Sequence, residues 1–289
     1  MSMDSVLPAA SVGYAESLAV IGAPVPLHGV LSSPSGAARE TALLILNSGL
    51  LHQVGACNAS VELARSAAAL GYRSLRFDGS GIGDSASRST SENHEQRAVS
   101  ETLEALHWLA QHTGTQRFVS VGLCSGAFAS FNAALEEPRI EGVIQIAGFA
   151  YPNFKWKLHH YLPRIYSARS WKNRITRSLG GRVQWRKALP DAYLDTETSA
   201  GWSIPPQETV AAGYQRLTQR DVAMLNIMTG GESYWYNYQG QFKDNFPVLS
   251  QARFEEHHLP EASHIIAERD AQLSVRQLML DWLTRHFKA

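Results

Sequence analysis

Gly122-Leu123-Cys124-Ser125-Gly126 is the stretch whose residue types and spacing most directly suggest chemistry. A thiol or hydroxyl serves as a nucleophile when a tight strand-to-helix turn lifts it clear of the backbone. Such a turn needs small residues two before and two after the reactive position. Gly122 and Gly126 supply them for Cys124. For Ser125 the crowded earlier position is Leu123, so the register selects the cysteine and leaves Ser125 as the alternative. A plainer reading takes Cys124 as a small buried apolar side chain and the glycines as close-packing positions.

The turn needs a strand before it and a helix after it, and the surrounding pattern provides both. RFVSVGLC at 117–124 reads as a strand, and Ala127, Phe128, Phe131 and Leu135 give the next segment a helical apolar face. The same alternation runs along the chain. Residues 15–21 and 26–32 read as an opening antiparallel pair, and 41–49, 72–81, 140–148, 222–230 and 252–259 as further strands. Helices are predicted from Asn58 to Gly71, from Thr90 or Ser91 to Gly114, and over 269–287. Short apolar runs separated by amphipathic segments predict an α/β class with a mostly parallel sheet.

Composition narrows the function classes. The 289 residues are 44% apolar and 18% charged, enough to bury a large core, which excludes disorder and fibrous repeats. Lys+Arg 26 against Asp+Glu 26 argues against a general nucleic-acid binder, and no zinc, RNP-like or helix-turn-helix signal is present. Two cysteines make no disulfide framework. The first thirty residues lack a basic stretch followed by an apolar core, and no window is long and apolar enough to span a membrane. These features point to a reducing cytoplasm. Gly79, Gly81 and Gly83 follow a predicted strand, but the polar segment Asp84 to Glu95 is no helix of a dinucleotide fold, so neither a nucleotide cofactor nor a metal is expected.

With these motifs in order, the chain resembles the α/β-hydrolase superfamily over nearly its whole length. The resemblance rests on the Cys124 turn, on Asn47-Ser48-Gly49-Leu50 where that family keeps its oxyanion loop, and on Asp78-Gly79-Ser80-Gly81-Ile82-Gly83-Asp84-Ser85, similar to the family's D-x-x-G-x-G-x-S turn. The branch it resembles most is the serine-aminopeptidase-like and monoacylglycerol-lipase-like hydrolases, with small esterases and thioesterases. Two departures are visible: cysteine where most members have serine, and Asn-Ser-Gly where His-Gly is usual. The resemblance implies a catalytic histidine after the last strand, which His264 matches, with His257 and His258 as competitors. It also implies the chain order nucleophile, acid, base. Glu232, directly after the strand at 222–230, meets that order, with Asp244 and Asp221 as fallbacks. By position, the backbone N–H groups of Ser125 and Leu50 would form the oxyanion hole, and His52 lies two residues further on.

Cysteine in a serine place bears on the substrate. A thiolate is the better leaving group in an intermediate built from an ordinary ester and tends to collapse backward, whereas transfer from a thioester is nearly balanced. The expectation is an acyl hydrolase, a thioesterase or esterase with a Cys124–His264–Glu232 triad. Its alternatives are an acyltransferase and a catalytically silent binding module. Domain organisation follows composition: 1–150 and 216–289 form the core, and 151–215 is a helical lid. Between Tyr151 and Pro190 ten Lys/Arg occur without an acid, and five of the seven tryptophans lie between 151 and 240. That composition suits the rim of a pocket for a coenzyme A or carrier-protein thioester, or equally a solvated helical face.

Overall fold

The structure, a computed structural model, describes residues 13–166 and 204–288. Apolar runs without alternation need burial on both faces, and they form the middle of an eight-stranded sheet. The strands are β1 (Tyr14–Ile21), β2 (Leu27–Pro34), β3 (Thr41–Ile45), β4 (Ser74–Phe77), β5 (Arg117–Leu123), β6 (Ile140–Ile146), β7 (Ala223–Thr229) and β8 (Phe254–Leu259). Their spatial order is β1-β2-β4-β3-β5-β6-β7-β8. β2 pairs antiparallel with β1 and β4, and every later pair is parallel. β3 and β7 are buried at every position.

Seven helices are described: α1 (Ala59–Ala69), α2 (His94–Thr113), α3 (Ser125–Glu136), α4 (Phe154–Tyr166), α5 (Gln207–Gln219), α6 (Gln241–Asn245) and α7 (Arg269–His286). Because successive strand residues face opposite ways, the sheet builds two cores. Leu44, Phe118 and Val143 meet Leu106, Phe131 and Tyr214 under α2, α3 and α5. Leu43, Val119 and Ile144 meet Leu63, Met279 and Trp282 under α1 and α7.

Several element boundaries differ from the sequence reading; the strand expected over 72–81, for one, is only Ser74–Phe77. α2 starts at His94 and not after Thr90 or Ser91, because Asn93 and Gln96 form a reciprocal capping box. β3 ends at Ile45, not at Gly49, because the Asn47 side chain takes over the backbone there. Its Nδ2 donates to Leu51 O and to Asp78 Oδ1, and its Oδ1 accepts from Gly79 N–H.

Within the segment expected as a lid, α4 is described and exposes Phe154, Leu158, Tyr161 and Leu162. α5 runs across the expected boundary at residue 215 and buries Val210, Tyr214 and Leu217 in the core. Residues 167–203, with most of the expected basic run, lie outside the described residues.

Candidate active site

β5 meets α3 at a turn so tight that Cys124 adopts φ +56°, ψ −117°, a sparsely populated conformation for a residue with a side chain. A Cβ on Gly122 would lie 2.0 Å from the Gly126 carbonyl, and one on Gly126 would lie 2.4 Å from the Asn47 carbonyl oxygen. Neither position has room for a side chain. As the first residue of α3, Ser125 carries a backbone N–H with no acceptor inside the helix.

The structure brings Cys124, His264 and Glu232 together. His264 Nδ1 lies 2.5 Å from Glu232 Oε1. The Cys124 thiol is the largest influence on the ring's proton affinity; with Nδ1 engaged by Glu232, Nε2 is the nitrogen left for the sulfur. Glu232 is 1% exposed and His264 28% exposed at the side chain, so the carboxylate acts on the imidazole with little screening by water.

Local sequence explains how the acid is aimed. Thr229 ends β7 and caps the short turn Gly230–Glu232: its N–H and Oγ1 both donate to Glu232 Oε2, at 2.9 and 2.7 Å, which leaves Oε1 for the histidine. Gly230 and Gly231 admit the His264 loop. A Cβ on Gly231 would stand 2.6 Å from the His264 nitrogen, and one on Gly230 2.0 Å from the Pro260 oxygen. Thr229 was not among the residues singled out from sequence, although Thr-x-x-Glu is a readable capping signature.

Hydrogen bonds, first to Cys124 and then to Glu232, outweigh burial and push the His264 pKa from 6.5 up to about 10. The folded state thus favours the protonated ring. That contribution to stability is complete below about pH 6.5 and is lost as pH rises through about 10. The thermal midpoint of the wild type should fall across this window, and His264→Gln should show a flatter profile. Parallel profiles would separate the histidine from the stability of the fold.

On the 47–50 loop, the Gly49 N–H donates to Ser125 Oγ at 2.7 Å, which holds the loop against the turn. The Leu50 side chain is exposed. The loop is clamped from beneath by fully buried Asp78, which accepts from Gln53 N–H at 2.6 Å and Asp84 N–H at 3.2 Å as well as from Asn47. His52 sits 3.2 Å from both Asp78 and Asp84. Among the described residues this is the group whose ligand-type atoms all lie within 4.8 Å of one another, but the Asp78 oxygens are already occupied by loop donors.

The other candidates are engaged elsewhere. Asp244 pairs with Lys155 and accepts from Tyr238, and Asp221 lies 3.3 Å from Arg253. His258 packs edge-on against Tyr236, burial lowering its pKa, while His257 lies 3.8 Å from Glu255. Beside the site a cavity of about 80 Å³ extends between α1 and α7, lined by Leu123, Ile146, Ile265, Val275 and Met279 among others. Its apolar walls suit a hydrocarbon group. No helix among the described residues is long and apolar enough to cross a membrane.

No protein-family model and no curated protein matches the chain. Solved structures do. An α/β serine hydrolase without a lid from Xanthomonas campestris is 16% identical, with 95% of this chain and 96% of that one covered and a TM-score of 0.55. An esterase from Pyrococcus furiosus is 13% identical, with 96% and 92% covered and a TM-score of 0.62. An α/β serine hydrolase homologue from Coxiella burnetii is 15% identical, with 92% and 96% covered and a TM-score of 0.52. At such identities the likeness is one of fold. Sheet order, the turn after β5 and near end-to-end coverage by these neighbours agree: the chain has the α/β-hydrolase fold.

Proposed function

We propose that the protein is an acyl hydrolase that cleaves thioesters through a covalent acyl-Cys124 intermediate, with His264 as base and acid and Glu232 as the group that orients it. The observation that carries this reading is the bond from His264 Nδ1 to buried Glu232, with Cys124 raised on a turn that leaves no space for side chains at 122 and 126 and its thiol acting on the same ring.

Each step then has a named group. The Cys124 proton lies on His264, whose raised pKa keeps the ring protonated, so sulfur attacks the carbonyl carbon as the thiolate, and the negative oxygen is held by the Ser125 N–H and by an N–H of the 47–50 loop. The carbon–sulfur bond to the carrier breaks, and the departing thiolate takes the proton from His264. Water next attacks the acyl-cysteine, passing one proton to the now neutral His264, and Cys124 leaves as the thiolate beside the protonated ring as the acid is released. Sulfur exchanging for sulfur makes the first transfer close to thermoneutral, which favours thioesters over oxygen esters.

A coenzyme A or carrier-protein donor belongs to this proposal through the basic composition of 151–190. Of the cations in α4, Lys155 is already paired with Asp244. The test is incubation with a mixed panel of acyl thioesters and oxygen esters, read by intact mass and by release of free thiol. The expected result is an acyl adduct on Cys124 and faster turnover of thioesters. Adducts that pass to an added amine or alcohol in preference to water would convert the reading to an acyltransferase. Labelling indifferent to His264, without turnover, would leave a binding module.

A further inference from the structure

On the α2–α3 side of the sheet, a second and smaller cavity of about 40 Å³ touches the same turn. Its lining includes Gly49 and Ser125 near the reactive thiol, and Ser80, Arg97 and Glu101 further along. Phe77 and Ala129 give it apolar walls. Ser80 and Glu101 are each 5% exposed, and Ser80 Oγ and Glu101 Oε1 have no hydrogen-bond partner. The other Glu101 oxygen accepts from the Ser80 N–H at 3.0 Å, which fixes the carboxylate. A buried acceptor beside a buried hydroxyl, both unsatisfied, is costly unless something fills the space between them.

Charge selects the occupant. Arg88 Nη1 lies 4.0 Å from Glu101 Oε1, too far to bond, and is itself held by Glu104 and the Val25 carbonyl; Arg97 is a second cation on the lining. Arg88 beside Glu101, and Arg97 bonded at 3.1 Å to His94 of the same lining, make the surroundings cationic, which disfavours an ammonium. A neutral hydroxyl meets both needs, since it donates and accepts. A volume of about 40 Å³ admits only a few water-sized groups, so the hydroxyl must sit on a short branch.

We propose that this pocket is a specificity subsite for a hydroxyl group on the substrate, the hydroxyl donating to Glu101 Oε1 and accepting from the Ser80 O–H. The inference rests on the acyl-transfer reading and names its substrate class, a short hydroxyacyl thioester.

The test compares kcat/KM for α- and β-hydroxybutyryl thioesters with that for the butyryl thioester. The wild type should prefer at least one hydroxylated donor by about ten- to a hundredfold. The ratio should fall toward one in Glu101→Gln, whose amide would turn a donor into the pocket, and in Ser80→Ala. Circular dichroism checks each fold, and either variant alone suffices if the other fails to fold. Equal rates in the wild type, or an unchanged ratio in a folded variant, would overturn the subsite. A second arm needs no turnover: alkylation of Cys124 by iodoacetamide, read by intact mass, in the presence of β-hydroxybutyramide or butyramide. Protection by the hydroxylated amide alone, lost in Glu101→Gln, supports the subsite even if no thioester is cleaved. Equal protection by both, or by neither, overturns it and leaves ordered water as the occupant, while thioester cleavage without hydroxyl preference sinks the subsite and spares the acyl-transfer reading.

Discussion

Cys124→Ala should lower kcat by roughly 10³- to 10⁶-fold, the range expected when the member of a catalytic unit that forms the covalent bond is removed. The loss should be purely chemical. Cys124 contributes its strained backbone, φ +56°, to the turn through main-chain contacts, its N–H donating to the Ile146 carbonyl at 2.9 Å, and alanine can adopt the same conformation. Circular dichroism and substrate binding should therefore stay close to wild type. The neighbouring substitution provides the contrast. Ser125→Ala keeps the backbone N–H but removes the hydroxyl that accepts from Gly49, a net loss of about 1 kcal/mol or about fivefold in rate. Cys124→Ser should retain some activity on oxygen esters. If Ser125→Ala proved the more damaging of the two alanine substitutions, the nucleophile would have to move to Ser125.

How much of this was legible in sequence depends on the range of the interaction. β3 and β7 are apolar runs broken only by Thr41, Asn226 and Thr229, and their burial on both faces follows from composition. Gly122 responds to a clash with Gly126, within five residues, so its meaning is local as well, whereas Gly126 answers to the Asn47 carbonyl on a distant loop. The end of β3 was not legible, because it is set by Asn47 bonding to Asp78 and Gly79, thirty-odd residues away. The same applies to the oxyanion loop. The loop's place beside the turn is fixed by the Gly49 N–H bonding to Ser125, a partner 76 positions distant, which a count along the chain to Leu50 does not contain. Glu101 illustrates the limit most clearly. It lies in α2 among other charged residues with no motif around it, yet the fold buries it against Ser80 with one oxygen unsatisfied.

His264→Ala should cost nearly as much as losing Cys124, because the thiol then has neither a base to activate it nor an acid to protonate the leaving group. Glu232→Gln should cost less, about 10²-fold, because orientation is part of the unit's effect and not the whole of it. The local bonds say how it fails. Oε2 of Glu232 accepts two donors from Thr229 and Oε1 faces His264 Nδ1, so an amide nitrogen must confront either Thr229 or the imidazole. If the oxygen stays with Thr229, the amide N–H₂ opposes the protonated ring and favours its neutral form. The pH profile separates this effect from simple damage to packing. In the wild type the alkaline limb, where His264 loses its proton, should lie near pH 10. In Glu232→Gln it should move down toward the ordinary histidine value of 6.5 without reaching it, since the bond to Cys124, the larger of the two influences on the ring, remains. A Glu232→Gln enzyme with reduced kcat and an unmoved alkaline limb would show that the carboxylate supports the β7–β8 loops and does not tune His264, and the orienting role would then have to be sought in another acid.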